Sequence, residues 1–140
     1  MRRHYVIASH SILAEGMEKT LKFFVGNETN IEVLTAYVNN TPIDDDIKKI
    51  MDGIVEDDEI VILTDLKGGS VNQKFFPFIY RSHTHLITGM NLPLAMSLVM
   101  EPTENYLIPE RVQEIVDESR QQLEYINPTT QGQAEDDEDE

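Results

Sequence analysis

The chain has no cysteine, which excludes disulfides, thiolate nucleophiles and sulfur-rich zinc sites together. A reducing compartment, the cytoplasm, is the location this fits. Basic residues are scarce: 11 Lys and Arg stand against 26 Asp and Glu, a formal charge of -15. Such a balance repels nucleic-acid backbones and anionic lipid surfaces, so no nucleic-acid partner is expected. Six of the acids are the run Glu135 to Glu140, yet the rest of the chain stays strongly negative without them. No apolar run approaches the ~20 positions of a membrane span. The start, Met1-Arg2-Arg3-His4, reaches Ser9, His10, Ser11 and Glu15 before any signal-peptide core is complete, so a soluble chain without a signal peptide is expected. Neither Gly-x-x-x-x-Gly-Lys nor Gly-x-Gly-x-x-Gly occurs, which removes the P-loop and dinucleotide-binding readings.

What remains is 140 residues with 40% hydrophobic content, enough for one compact domain with a real core. Tyr5 to Ser9 is a short, partly β-branched apolar run and predicts a first buried strand. From Leu13 the spacing turns helical, with Leu13, Met17, Leu21 and Phe24 as the apolar stripe, Glu15–Lys19 and Glu18–Lys22 pairs outside it, and Gly26 as the stop. Glu32 to Val38 predicts a second strand, and Thr41-Pro42 with Asp44 a capped helix ending at Gly53. Ile60 to Thr64 has no polar face to offer water and should be the central strand. A helix follows Asp65-Leu66-Lys67-Gly68-Gly69-Ser70, with Pro77 ending or kinking it. Leu86 to Thr88 predicts a fourth strand, Asn91 and Pro93 a helix to about Met100, and Pro109 a last helix with the stripe Val112, Ile115, Val116 and Leu123. Phe75, Phe76, Phe78 and Ile79 read as core or interface. The domain spans residues 1–126, and residues 127–140 read as an acidic, disordered tail.

Four strand–helix alternations, too widely spaced for hairpins, predict an open three-layer α/β/α sandwich around a mainly parallel four-stranded sheet in the order 2-1-3-4. Ligands of such sheets bind beyond the carboxyl ends of the strands, where the strand order reverses. Ser9-His10-Ser11, Asp65 to Ser70, and Gly89-Met90-Asn91 all fall at those ends. Strands one and three are neighbours in that order, at about 4.8 Å, so His10 and Asp65 can meet. A carboxylate on one imidazole nitrogen fixes the tautomer and frees the other nitrogen as a nucleophile. Gly68-Gly69-Ser70 would let backbone N–H groups approach an anion at a helix start. An imidazole nucleophile beside an anion cradle points to a transient phosphohistidine. His83 and His85 alternate along a strand face without a third ligand, and read as edge-strand or loop residues.

The segments Val6 to His10 with Ala14-Glu15-Gly16, Asp65 to Ser70 with Asn72, and Gly89-Met90-Asn91-Leu92-Pro93 together resemble the IIA components of the mannose-type bacterial sugar phosphotransferase system, over residues 4 to 126. The resemblance implies that His10 accepts a phosphoryl group from the histidine-containing carrier protein and passes it to a IIB component, which phosphorylates sugar at the IIC/IID membrane permease. Asp65 would orient His10, and Ser11, Gly68, Gly69 and Ser70 would hold the phosphoryl oxygens. No cofactor or metal is implied. The location would be cytoplasmic and peripheral to the membrane through the permease. Such proteins form homodimers, typically exchanging an antiparallel C-terminal fifth strand, which here would come from residues 123–128. The chain departs from the family pattern at Ser11, where glycine is common, and at Val71, where proline is common.

Ser9-His10-Ser11 with Ala14-Glu15-Gly16 also resembles the phosphotransferase subunit of bacterial dihydroxyacetone kinases, which uses an equivalent histidine. The doubled glycine and the Gly89 to Pro93 motif favour the sugar-transport branch. A non-catalytic sensor that binds a small anion at the same sheet edge is the third reading.

Overall fold

A computed structural model describes residues 1–128. Four strands, β1 (Arg3–His10), β2 (Ile31–Ala36), β3 (Glu59–Thr64) and β4 (Thr84–Thr88), form one all-parallel sheet in the order 2-1-3-4. These helices connect and follow them: α1 (Leu13–Val25), α2 (Ile43–Asp52), α3 (Ser70–Phe75), α4 (Leu92–Val99) and α5 (Pro109–Arg120). The expected three-layer architecture is the one observed. The acidic run from Glu135 onward lies outside the described residues.

Alternation along the strands divides the core in two. Tyr5, Ile7, Val61, Leu63 and Ile87 point to the face covered by α1, α4 and α5, where Leu21, Leu94, Leu98 and Ile115 meet them. Val6, Ala8, Ile60 and Ile62 point to the other face, against Ile47 and Met51 of α2 and Val71 and Phe75 of α3. Every residue of β3 is buried, as a central strand covered on both faces requires.

One of those buried residues is Glu59, which pairs with the equally buried Arg3 at the amino ends of β3 and β1. Arg3 also donates to the carbonyls of Glu101, Pro102 and Asn105, each at 3.1 Å, and Glu59 Oε2 accepts from the Leu107 N–H at 2.6 Å. Burial works against the Glu59 charge, but His85, Arg3 and the Leu107 N–H outweigh it and hold the carboxyl below its ordinary range. The α4–α5 connection is thus pinned to the sheet end opposite the functional edge.

Several local expectations are corrected. In α1 the buried positions are Ala14 and Leu21, with Met17 packed beside them, while Leu13 and Phe24 are more than half exposed. The two stripes share Met17 and Leu21 and differ by one residue, about 100° of helical rotation, at Leu13 against Ala14; the sheet selects the face bearing the small Ala14, which permits close approach. Thr41 does not cap α2: Pro42 holds the N-cap position with no side-chain bond. β2 ends at Ala36, because Tyr37 adopts φ 68 and leaves the extended region. α5 ends at Arg120, so Leu123 lies beyond the helix and is 87% exposed. Pro77 does end α3, which passes at Phe76 into a 3-10 turn reaching Tyr80. Phe75 is fully buried core, whereas Phe76 is exposed. His83 precedes β4 at φ 55 and stacks on Tyr106 at 3.5 Å, while His85 sits within the edge strand near Glu59, so the two rings diverge. Residues 123–128 join no strand in this single chain.

Candidate active site

The parallel register brings the two reacting candidates together. Ala8 of β1 pairs with Thr64 of β3, so His10 and Asp65 leave adjacent strand ends on the same side of the molecule. Asp65 Oδ2 accepts from the His10 backbone N–H at 2.8 Å and lies 2.9 Å from His10 Nδ1. Its other oxygen accepts the Leu66 N–H at 2.9 Å. Partial burial disfavours the carboxylate's charge, but the backbone and ring bonds from His10 and the Leu66 amide prevail and hold Asp65 below the usual carboxylate range. Asp65 is therefore ionised at neutral pH and can only accept, which places the neutral imidazole's proton on Nδ1 and its lone pair on Nε2.

Nε2 faces Ser70, whose Oγ is 3.2 Å away. The His10 side chain is 36% exposed and that of Asp65 only 8%, so the ring reaches solvent while the carboxylate that holds it does not. Ser70 is the first residue of α3, after Gly68 at φ 74 and Gly69 at the N-cap. Gly68 supplies the left-handed turn, and Gly69 supplies clearance: a Cβ there would stand 3.3 Å from His10 Cε1 and 3.2 Å from the Leu66 carbonyl oxygen. The Gly69 N–H is already committed to Leu66 O at 3.1 Å.

Ser11 is placed differently from the other site candidates. Its N–H donates to Ala36 O at 2.8 Å, so that amide extends the β1–β2 pairing past His10 and is not free for an anion. Buried Ser9, absent from the expected site, holds the β1–α1 turn: its hydroxyl donates to Ser11 O at 3.1 Å and accepts from the Ala14 N–H at 2.8 Å. Asn72, part of the recognised motif, accepts from Thr64 Oγ1 at 2.9 Å and ties α3 to the end of β3.

Tyr37, which no sequence motif singles out, also reaches the site. Its hydroxyl is 2.6 Å from Ser70 Oγ and its ring centroid 5.5 Å from that of His10. Strand order could have found it, since β2 also borders β1 and its carboxyl end belongs to the same crevice.

Residues 4–116 match the family described as EIIA-man, PTS system fructose IIA component. The chain belongs to this mannose-type IIA family. Among solved structures, a Klebsiella pneumoniae subsp. pneumoniae MGH 78578 protein, assigned to a phosphoenolpyruvate-dependent sugar phosphotransferase system permease, is 30% identical with TM-score 0.80, over 93% of this chain and 95% of that one. The PTS IIA protein associated with the fucose utilization operon of Streptococcus pneumoniae is 26% identical with TM-score 0.75, covering 93% and 97%. The mannose/sorbose specific IIA subunit from Enterococcus faecalis, 20% identical with TM-score 0.73 over 91% and 96%, shares the fold. Set within the IIA family, both departures have a local account. Ser11 takes φ 55, in the left-handed region natural to glycine. Val71 is the second residue of α3, in the first turn, where proline's missing N–H costs little. No helix among the described residues of this IIA chain is long and apolar enough to cross a membrane.

Proposed function

We propose that this IIA chain is a phosphocarrier that takes a phosphoryl group onto His10 from the histidine-containing carrier protein and gives it to a IIB component, for sugar uptake through the IIC/IID permease. The observation that carries this reading is the division of labour on one ring: Nδ1 is held by Asp65, and Nε2 faces the Ser70 hydroxyl on a partly exposed ring at the carboxyl end of the sheet. The Nε2 lone pair forms the new N–P bond as the bond from phosphorus to the carrier's imidazole breaks, and that electron pair returns to the carrier. The phosphorylated ring is cationic while Nδ1 keeps its proton, and the ionised Asp65 stabilises that charge. Onward transfer to IIB reverses the step.

Ser70 holds the phosphoryl oxygens through its hydroxyl, Gly68 and Gly69 shape the turn that leaves room for them beside His10, and Ser11 contributes through its side chain. Exposed Ile12 and Leu66 follow closely on the strand ends that carry the site and offer apolar contact to a docking protein. The protein's net charge of -15 suits a basic carrier surface. The fucose and mannose/sorbose named for the relatives differ, as suits a component that meets proteins and not the sugar. We further assign a cytoplasmic location beside the permease, and a homodimer in which residues 123–128 cross to the open β4 edge of a second copy. The exposure of Leu123, Tyr125 and Ile126 supports that exchange.

The test is incubation with phosphoenolpyruvate, enzyme I and the carrier. Acid-labile phosphate should appear on the wild type and be absent from His10→Ala; label persisting in the variant overturns the assignment. Discharge by IIB and not by dihydroxyacetone kinase subunits identifies the acceptor, and binding of phosphate compounds without covalent labelling would instead support an anion sensor.

A further inference from the structure

Tyr37 combines three features. It is a bulky aromatic residue at φ 68, in the left-handed region that non-glycine residues rarely enter and that clusters at functional sites. The residue is 60% exposed, so burial does not explain the conformation. Its hydroxyl nevertheless makes a 2.6 Å bond to Ser70 Oγ, across the crevice from β2 to α3.

The direction of that bond follows from its neighbours. Asp65 accepts from Nδ1, so Nε2 of the neutral ring is an acceptor, and Ser70 spends its one hydroxyl hydrogen on Nε2. Tyr37 must then donate to Ser70 Oγ. The resulting series runs Tyr37 O–H to Ser70 Oγ, Ser70 O–H to His10 Nε2, and Nδ1–H to Asp65. Each donor in such a series polarises the next.

Resting on the phosphocarrier reading, we propose that the Tyr37 hydroxyl is a positioning residue for phosphoryl transfer: it fixes the Ser70 hydroxyl in the orientation that bonds Nε2 before transfer and the phosphoryl oxygen after it. When the Nε2 lone pair enters the N–P bond, the Ser70 hydrogen loses its acceptor and turns to the adjacent phosphoryl oxygen. Tyr37 remains bonded to Ser70 Oγ throughout, so this exchange is a rotation about one C–O bond and not a search through side-chain rotamers. The positive φ is the backbone conformation that carries the ring back over His10 from the end of β2.

Tyr37→Phe keeps the ring and removes the donor. Single-turnover transfer from phosphorylated carrier should fall about 3- to 10-fold at saturation, the effect of one neutral hydrogen bond, with the half-saturating carrier concentration unchanged. In the unphosphorylated protein the ¹⁵N resonance of His10 Nε2 should move toward that of an unbonded imidazole nitrogen. Adding Tyr37→Phe to Ser70→Ala should change neither readout further. Wild-type behaviour of Tyr37→Phe in both rate and ¹⁵N shift, or additive effects in the double variant, overturns the proposal; a raised half-saturating concentration alone makes Tyr37 a docking contact instead. If the wild type takes no label, the phosphocarrier reading fails, while the ¹⁵N comparison still decides whether Tyr37 orients Ser70 toward Nε2.

Discussion

A single oxygen of Asp65 grips His10 twice, through the backbone N–H at 2.8 Å and through ring Nδ1 at 2.9 Å. The main-chain bond fixes where the residue starts and the ring bond fixes where it points. Both bonds depend on the charge, which the enclosing strand ends keep largely out of water.

Asp65→Ala should therefore slow phosphoryl transfer to His10 by roughly 10²-fold, the scale of a lost orienting group in proton and nucleophile management. Circular dichroism should show the fold retained, because the core faces of β1 and β3 do not include this side chain. A variant that transfers at the wild-type rate would remove Asp65 from the machinery.

The same carboxylate shapes acid stability. Its folded pKa lies below the unfolded value of about 3.9, so its contribution is complete above that pH and is lost as pH falls through the depressed folded value. Thermal midpoints measured from pH 7 down to pH 2.5 should fall less steeply below about pH 4 for Asp65→Asn than for wild type. Parallel curves would mean the carboxylate is equally favoured in both states.

Gly69→Ala tests clearance without demanding an unusual φ. The added methyl meets Leu66 backbone oxygen at 3.2 Å and His10 Cε1 at 3.3 Å, and of these only the ring can swing away. A displaced imidazole should reduce transfer by about 10-fold or more, with a stability loss of about 1–2 kcal/mol by chemical denaturation. Full activity would show that the turn yields instead.

At the opposite end of the sheet, Arg3→Ala leaves Glu59 buried without its cation and without the ties to the α4–α5 connection. Urea unfolding should register a loss of about 3–5 kcal/mol. Because this cluster lies far from His10, whatever folded protein remains should transfer at an unaltered rate per molecule.

Much of this was legible in the residues themselves. The apolar runs Tyr5 to Ser9 and Ile60 to Thr64 specify strands buried on two faces, and that burial with helical crossovers yields a parallel sheet in the order seen. From that order the meeting of His10 and Asp65 follows, since adjacent parallel strands end side by side. Periodicity served less well at α1, where Leu13 and Phe24 form as regular a stripe as the buried one and only contact with the sheet discriminates.

What the sequence alone determined is therefore the sheet, its order and the pair of groups at its edge, all consequences of hydrophobic pattern and chain connectivity. Tertiary structure decided the rest: Glu59 buried against Arg3, Ser9 closing the β1–α1 turn, Ser11 with its amide committed to Ala36, and Tyr37 turned back upon Ser70. Each depends on a hydrogen bond between polar groups, and such bonds form wherever the packed backbone happens to bring donor and acceptor within about 3 Å. Hydrophobic burial is additive along a pattern and can be read residue by residue, whereas polar geometry exists only once the chain has closed.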